Sequence, residues 1–114
     1  MLATQYRIRK SSEYEKVFAK KSKPFFAPEL FIKICPNERT YSRFGFVVGE
    51  KVSKHAVKRN NVKRRLRAII RKHFAGICTG YDVVIVARKP STHISSAELE
   101  SIVGSLLAKA NLLL

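Results

Sequence analysis

Acidic residues are scarce in this sequence, which has 8 Asp and Glu against 23 Lys and Arg and a formal net charge of +15. This excess of positive charge is larger than solubility requires in a small domain. The few acidic residues are also scattered, whereas a nuclease that uses protein-bound metal ions needs clustered carboxylates. The sequence therefore predicts a polyanionic partner, no catalytic residue, and no metal site held by the protein alone.

Long apolar segments are missing as well. No run approaches the roughly 20 apolar residues of a membrane-spanning helix. The first ten residues, MLATQYRIRK, contain no apolar core of the kind that a signal peptide has. We therefore expect a cytoplasmic protein without a membrane partner.

Cysteine and histidine are rare. The two cysteines, Cys35 and Cys78, are far apart in the chain, and we interpret them as small buried hydrophobic residues. The three histidines, His55, His73 and His93, are equally scattered. Because a zinc site needs Cys or His ligands at short, regular spacings, the sequence does not predict one.

The composition is that of a globular protein. Hydrophobic residues make up 46% of the 114 residues and include seven Phe and four Tyr, whereas a disordered basic tail would be poor in aromatic residues. No repeat or Gly/Ser-rich linker interrupts the chain. We expect one domain that spans residues 1–114.

Three segments have the apolar spacing of helices. The first runs from Ser12 to about Lys21 and opens with a Ser-x-x-Glu capping box (Ser12, Glu15). The second runs from about Ala56 to Phe74. The last follows a second capping box (Ser95, Glu98) and has one continuous apolar face.

Three or four segments have the pattern of strands. The segments 30–35 (LFIKIC) and 43–48 (RFGFVV) are short, apolar and separated by a loop with Pro36, so we interpret them as paired strands. The segment 81–87 (YDVVIVA) is continuously apolar, which predicts a central strand covered on both faces. A short edge strand at 24–27 completes an α+β two-layer sandwich in the order αβββαβα, with a parallel crossover through the basic helix.

The second helix carries most of the positive charge. Ten basic residues and no acidic residue lie between Lys51 and Lys72. On a helical wheel one stripe holds Lys63, Arg64, Arg67, Arg71 and Asn60, and a second row holds Lys58, Arg65 and Lys72. A solvated helix face normally alternates in sign, because like charges four residues apart destabilise a helix. We therefore predict nucleic-acid binding, with bidentate arginine contacts to phosphates.

Aromatic residues suggest a second contact region. Tyr14 and Phe18 share a helix face, and Phe31 lies beside Lys33 on the strand face opposite Leu30. Exposed aromatic rings can stack on unpaired bases, although any single aromatic residue is more often part of a core. Lys33 indicates that the face of Phe31 is open to solvent.

Three stretches together resemble the protein subunit of bacterial ribonuclease P. They are residues 43–48, residues 56–67 (AVKRNNVKRRLR) and residues 81–90 (YDVVIVARKP), and the resemblance runs from about Arg7 to the final helix. It implies a left-handed crossover through the basic helix. It also implies a non-catalytic protein subunit of an endoribonuclease, in which an RNA subunit removes the 5′ leader of precursor tRNA by magnesium-dependent hydrolysis. The Mg²⁺ would be bound mainly by the RNA.

The implied partners are the catalytic RNA and precursor tRNA with a single-stranded 5′ leader, and no obligatory protein partner is evident. The resemblance assigns RNA and phosphate-bound metal contacts to the basic helix. The RNA-binding residues that we predict are Lys51, Lys54, Lys58, Arg59, Asn60, Lys63, Arg64, Arg65, Arg67 and Arg71. The predicted leader-binding cleft consists of Tyr14, Phe18, Phe31, Lys33 and Val47.

The sequence departs from the family's pattern at three places. Asn61 stands where the family usually has an arginine, and Glu50 stands where it usually has a lysine. The stretch that leads to Ala56 is one residue longer. Each departure removes or displaces one cationic contact, while Lys58 and Lys63 keep the local charge high.

Two other functions remain open at this point. A ribosomal or other structural RNA-binding protein would use the same basic helix, and the RNA that copurifies would distinguish it. A protein-only nuclease predicts cleavage by the RNA-free protein that carboxylate substitution abolishes.

Overall fold

The computed structural model describes residues 3–19 and 24–114 and contains three helices and one four-stranded sheet. In chain order the elements are α1 (Ser11–Ala19), β1 (Pro24–Phe26), β2 (Leu30–Pro36), β3 (Arg43–Val47), α2 (Ala56–His73), β4 (Tyr81–Ala87) and α3 (Ser96–Lys109). A short 3-10 helix at 4–6 precedes α1, and two others, at 74–76 and 89–93, follow α2 and β4. The predicted α+β class and the order αβββαβα are confirmed.

The sheet has the strand order β1-β2-β4-β3. β2 runs antiparallel to β1 and to β4, whereas β3 runs parallel to β4. The connection from β3 to β4 is therefore a parallel crossover through α2, as the sequence predicted. β1 is an edge strand, which suits its proline because proline cannot donate a ladder hydrogen bond.

The prediction that β2 and β3 pair with each other is wrong, since β4 lies between them. As the most continuously apolar strand, β4 is best buried in the middle of the sheet. The loop from β2 to β3 passes the start of β4 and forms hydrogen bonds with residues 78–81 there. Asn37 N donates to Gly80 O at 2.9 Å, while Ser42 Oγ donates to Cys78 O at 2.7 Å and accepts from Tyr81 N at 3.1 Å.

The main core lies between the sheet and the helices α2 and α3. Val62 and Leu66 of α2 and Leu99 and Leu106 of α3 are buried against the same strand face as Ile32. These are positions that the helical spacing predicted to be apolar and inward. The packing fixes which flanks of α2 remain available to a partner.

The opposite face of the sheet is covered in part by α1. Val17 packs with Ile8, Cys35 and Val84 in a small second cluster. Cys35 is thus buried as predicted. Cys78 is a free thiol that is partly exposed, which corrects its interpretation as a buried residue.

One predicted helix cap is confirmed and the other is wrong. Ser95 Oγ accepts a hydrogen bond from Glu98 N at 3.1 Å, as a capping box requires. α1, however, begins at Ser11, and Glu13 rather than Glu15 accepts a backbone hydrogen bond, from Lys10 N at 3.1 Å. The end that we predicted for this helix, near residue 21, lies outside the described residues.

Candidate nucleic-acid interface

The two basic rows of α2 have different surroundings. In the stripe, Arg64 and Arg71 are exposed, whereas Lys63 and Arg67 are partly buried. Arg64, Arg67 and Arg71 line a cavity of about 540 Å³ together with Ala68 and Lys72. Lys63, Arg64 and Arg67 form no ion pair with any residue in 3–19 or 24–114. This stripe therefore presents uncompensated positive charge.

The second basic row contacts the rest of the protein. Arg65 Nη1 donates to Ile94 O at 2.9 Å and Nη2 donates to Ser91 O at 3.2 Å. Lys72 Nζ lies 3.1 Å from Glu100 Oε2. The guanidinium of Arg65, which we predicted to contact RNA, thus fixes the turn before α3 to α2, and RNA binding by Arg65 stays a prediction.

An ion cluster also joins the end of α2 to α3. His73 Nε2 lies 2.6 Å from Glu100 Oε2, on the same carboxylate that binds Lys72. These hydrogen bonds, with His73 first and Lys72 second, lower the pKa of Glu100. His73 lies in the apolar arc of the helical wheel, yet it is exposed because the arc reaches the protein surface at the last turn.

The N-terminal segment contributes two cations that sequence reasoning missed. Arg7 and Arg9 line a cavity of about 270 Å³ with Lys63, Arg67 and Tyr14, among other residues. The alternation Arg7-Ile8-Arg9 was the sequence signal for them, because it places an apolar residue between two cations. Ile8 is buried, and its backbone N donates to Phe44 O at 2.9 Å, which anchors the segment on β3. Arg67 Nε is buried in this region and finds no acceptor among the described residues. The cavity is suited to an anion.

Tyr14 forms one wall of this cavity. Its ring lies against the backbone of Gly45 in β3, and its hydroxyl donates to Ile8 O at 3.1 Å. Burial raises the pKa of Tyr14, and the charge of Arg67 acts in the opposite direction. α1, through Tyr14, and α2, through Arg67, therefore line the same cavity at the β3 edge of the sheet.

An ion-pair network holds α1 in place on the sheet. Arg43 donates to Asp82 through Nε and Nη2, at 3.0 and 2.7 Å, and also pairs with Glu13. Arg43 and Asp82 are register partners on β3 and β4. The hydrogen bond from Arg43 lowers the pKa of Glu13 to about 2, and Asp82 raises the pKa of Arg43. The first turn of α1 is thereby fixed over β3 and β4.

Beyond α1, four side chains form a row across the sheet, which we call the open row: Phe26, Phe31, Val86 and Val47. They are register partners on β1, β2, β4 and β3 in turn. Phe26 is exposed and the other three are partly exposed. On this face of β4, α1 therefore covers Val84, which is buried, but leaves Val86 partly exposed.

The predicted cleft residues lie on this face of the sheet. Phe18 of α1 is 38% exposed, and Lys33 Nζ lies 5.3 Å from the centroid of its ring. Phe31 and Val47 belong to the open row, and Tyr14 lies beside β3. Phe26 and Val86 were missed in the sequence analysis, because only strand register places them in one row with Phe31 and Val47.

The remaining predicted RNA-binding residues surround the start of α2. Lys51 and Lys54 are exposed in the loop after β3, and Lys58 and Asn60 are exposed on the first turns of the helix. Arg59 is partly buried, and its Nη1 donates to Ser53 O at 2.9 Å. These residues extend the positive surface from the loop to the middle of α2.

Residues 3–19 and 24–114 contain neither a membrane-spanning helix nor a cluster of metal-binding side chains. No helix there combines the length and the apolarity that crossing a membrane requires. No cluster of three or more His, Cys, Asp or Glu side chains is placed to hold a metal ion in the same ranges.

Comparison with known proteins gives consistent results. A family model described as Ribonuclease P matches residues 2–111. The ribonuclease P protein component of Dehalococcoides mccartyi is 38% identical over 107 residues, which cover 94% of this chain and 86% of that protein. The ribonuclease P protein component of Pseudanabaena is 37% identical over 114 residues, which cover 99% of this chain and 97% of that protein.

The fold is also that of a solved structure. The RNase P protein of Staphylococcus aureus superimposes with a TM-score of 0.87 at 25% identity, over 96% of this chain and 98% of that one. Sequence and fold therefore agree over nearly the full length, and the chain belongs to the ribonuclease P protein family.

Proposed function

We propose that this protein binds the catalytic RNA of ribonuclease P through α2 and the single-stranded 5′ leader of precursor tRNA through the open row and α1. As a member of its family the chain is part of the endoribonuclease that processes the 5′ end of tRNA. The observation that carries the proposal is the position of an open aromatic surface beside an unpaired cationic helix stripe, on one molecule.

The basic stripe supports the RNA-binding part of the proposal. Lys63 and Arg67 are partly buried and Arg64 is exposed, and all three lack carboxylate partners in the described chain. Gathering such like charges on one helix is unfavourable unless a polyanion neutralises them. RNA phosphates would do so and would release counterions, which makes binding salt-dependent.

The aromatic surface supports the leader-binding part. Phe18 and Phe31 offer ring faces to unpaired bases, and Lys33 adds a cation beside them. Stacking on such rings tolerates different bases, as a protein that handles many tRNA precursors requires. The cleft would therefore bind leaders with little sequence selectivity.

The acidic residues support assigning the chemistry to the RNA. Glu13 and Asp82 are bound to Arg43, and Glu100 is bound to Lys72 and His73. Along α2 most polar side chains are ammonium and guanidinium groups, which cannot ligate Mg²⁺, and the amides of Asn60 and Asn61 are too few to supply the oxygen ligands that this ion prefers. The side chains thus do not fit a protein-held Mg²⁺, and RNA phosphates would hold it while the basic helix neutralises their repulsion.

Reconstitution with the catalytic RNA tests the proposal. We expect the protein to increase the affinity for precursor tRNA with a leader more than for leaderless tRNA. Phe18→Ala should remove about 1 to 3 kcal/mol of that difference, since one stacked base contributes this much. Leu114→Ala, which truncates an exposed apolar side chain at the C-terminus, is the control and should have no effect.

Three outcomes would contradict the proposal. Unchanged leader affinity in Phe18→Ala would exclude the cleft. Copurification of ribosomal RNA instead of an RNA that cleaves precursor tRNA would indicate a structural RNA-binding protein. Cleavage by RNA-free protein would place the chemistry on the protein.

A further inference from the structure

Phe26 is an exposed aromatic residue at the β1 end of the open row. It is 57% exposed, although the neighbouring Phe25 packs against the main core. Because side chains alternate along a strand, the core contact of Phe25 directs Phe26 to the face that α1 leaves open. Its ring is paired with that of its register partner Phe31, with centroids 5.3 Å apart and planes tilted by 38°.

Arg88 lies over this aromatic pair. Its guanidinium carbon is 5.8 Å from the ring centroid of Phe26 and 5.8 Å from that of Phe31. Its backbone N donates to Glu29 O at 2.8 Å, which fixes the residue directly after β4. Within residues 3–19 and 24–114 the guanidinium makes no ion pair, and Nη1 has a long contact of 3.4 Å with Ala27 O. Most of its donors are therefore available.

An arginine over an exposed ring often serves only to shield apolar surface at a sheet edge. Two features favour a ligand here. Phe26 belongs to the open row and Arg88 lies over its β1 end, and a second cation–aromatic pair, Lys33 with Phe18, lies beside the row on the same side of the sheet. A ring face beside a free cation matches one nucleotide, whose base stacks and whose phosphate accepts hydrogen bonds.

We propose that Phe26 and Arg88 form an additional nucleotide position, in which an unpaired base stacks on Phe26 and its phosphate binds Arg88. The inference rests on the proposed leader-binding function and extends it to the β1 edge. Since neighbouring strands lie about 4.8 Å apart, Phe26 is about 14 Å from Val47 of β3, the strand that α2 contacts. The position would therefore bind a leader nucleotide that lies farther from α2 than any nucleotide in contact with Val47 or Val86.

Holoenzyme binding to a series of precursor tRNAs with leaders shortened one nucleotide at a time tests this position. We expect Phe26→Ala to weaken binding about 5- to 100-fold for leaders long enough to reach β1 and to leave shorter leaders unchanged. Phe18→Ala should weaken binding from a shorter leader length onward. Phe26→Tyr keeps a ring of the same kind and should restore the affinity.

An abasic leader nucleotide identifies the partner base. At one leader position, removing the base should weaken binding to the wild type but not to Phe26→Ala, because the contact is then already lost. Arg88→Gln should reduce the salt dependence for long leaders only.

The outcomes separate the two proposals. If Phe18→Ala weakens leader binding and Phe26→Ala does not at any length, the additional position is excluded and the proposed function stands. Equal weakening of leaderless and long-leader substrates by Phe26→Ala would indicate a folding or RNA-subunit defect and would also exclude it. If neither variant changes leader affinity, leader binding by the cleft itself is wrong.

Discussion

The ring of Tyr14 occupies the space that a side chain at position 45 would need. A Cβ atom on Gly45 would lie 2.5 Å from Tyr14 Cε1 and 2.8 Å from its Cζ and hydroxyl oxygen. The aromatic residue of α1 can approach β3 only because position 45 has no side chain. This contact places Tyr14 between the sheet and the cationic cavity that contains Arg67.

Gly45→Ala should therefore displace Tyr14. We expect a loss of about 1 to 3 kcal/mol in the free energy of unfolding, typical of overpacking, together with weaker binding of leader-containing tRNA. Chemical denaturation and leader-binding titrations measure the two effects.

Gly104→Ala is the matched control. Nothing lies within 4 Å of the position where its Cβ would be, in the interior of α3. The same substitution should raise the free energy of unfolding by about 0.5 to 1 kcal/mol and leave leader affinity unchanged. Equal destabilisation by both substitutions would contradict the role assigned to the Tyr14 contact.

Glu13 should make the fold sensitive to acid. Its pKa is lowered from 4.5 to about 2 by the hydrogen bond from Arg43, so its contribution is fully present above pH 4.5 and is lost as the pH falls towards 2. At 1.4 kcal/mol per pK unit this contribution is at most about 3 kcal/mol. Glu13→Gln should lower the free energy of unfolding at neutral pH and flatten its decrease between pH 4.5 and 2.

Glu15→Gln serves as the control for that measurement. Glu15 is an exposed residue of the same helix, with no hydrogen bond or ion pair in the part of the chain that the structure describes. Its substitution should change the free energy of unfolding by less than about 0.5 kcal/mol at any of these pH values. A wild type whose stability is constant from pH 4.5 to 2 would refute the ion-pair role of Glu13.

Arg64 and Arg65 are adjacent in sequence but should respond oppositely to substitution. Arg65→Gln removes the two guanidinium hydrogen bonds to Ser91 O and Ile94 O. We therefore expect the free energy of unfolding to fall by about 2 kcal/mol. Arg64→Gln should leave stability within about 0.5 kcal/mol while weakening RNA binding. Thermal unfolding together with RNA titration distinguishes them. Similar stability losses in both variants would show that the assigned difference is wrong.

Arg67→Gln should change how RNA affinity depends on salt. Removing a phosphate contact is expected to reduce the slope of log affinity against log salt by about 0.7 to 0.9. Lys109→Gln removes the same charge from an exposed position in α3 and is the control. If the two substitutions reduce the slope equally, total charge rather than the α2 stripe governs binding.

Strong local signals explain what sequence reasoning predicted correctly. The helical spacing of Val62 and Leu66 places α2, the apolar run 81–87 places β4, and Ser95 caps α3 through Glu98. Each signal depends on residues close together in the chain. The cap of α1 was misplaced because a distant residue, Arg43, draws the carboxylate of Glu13 to the sheet.

The sequence by itself determined the charge of the protein, the positions of its elements and the family to which it is similar. Only the tertiary structure decided that β4 separates β2 from β3, and that Phe26, Phe31, Val86 and Val47 form one row. It also decided which cations of α2 are used inside the fold, as Arg65 is, and which remain free. The physical reason is that strand order and the surroundings of a helix flank depend on contacts between distant segments, whereas periodicity and capping are local.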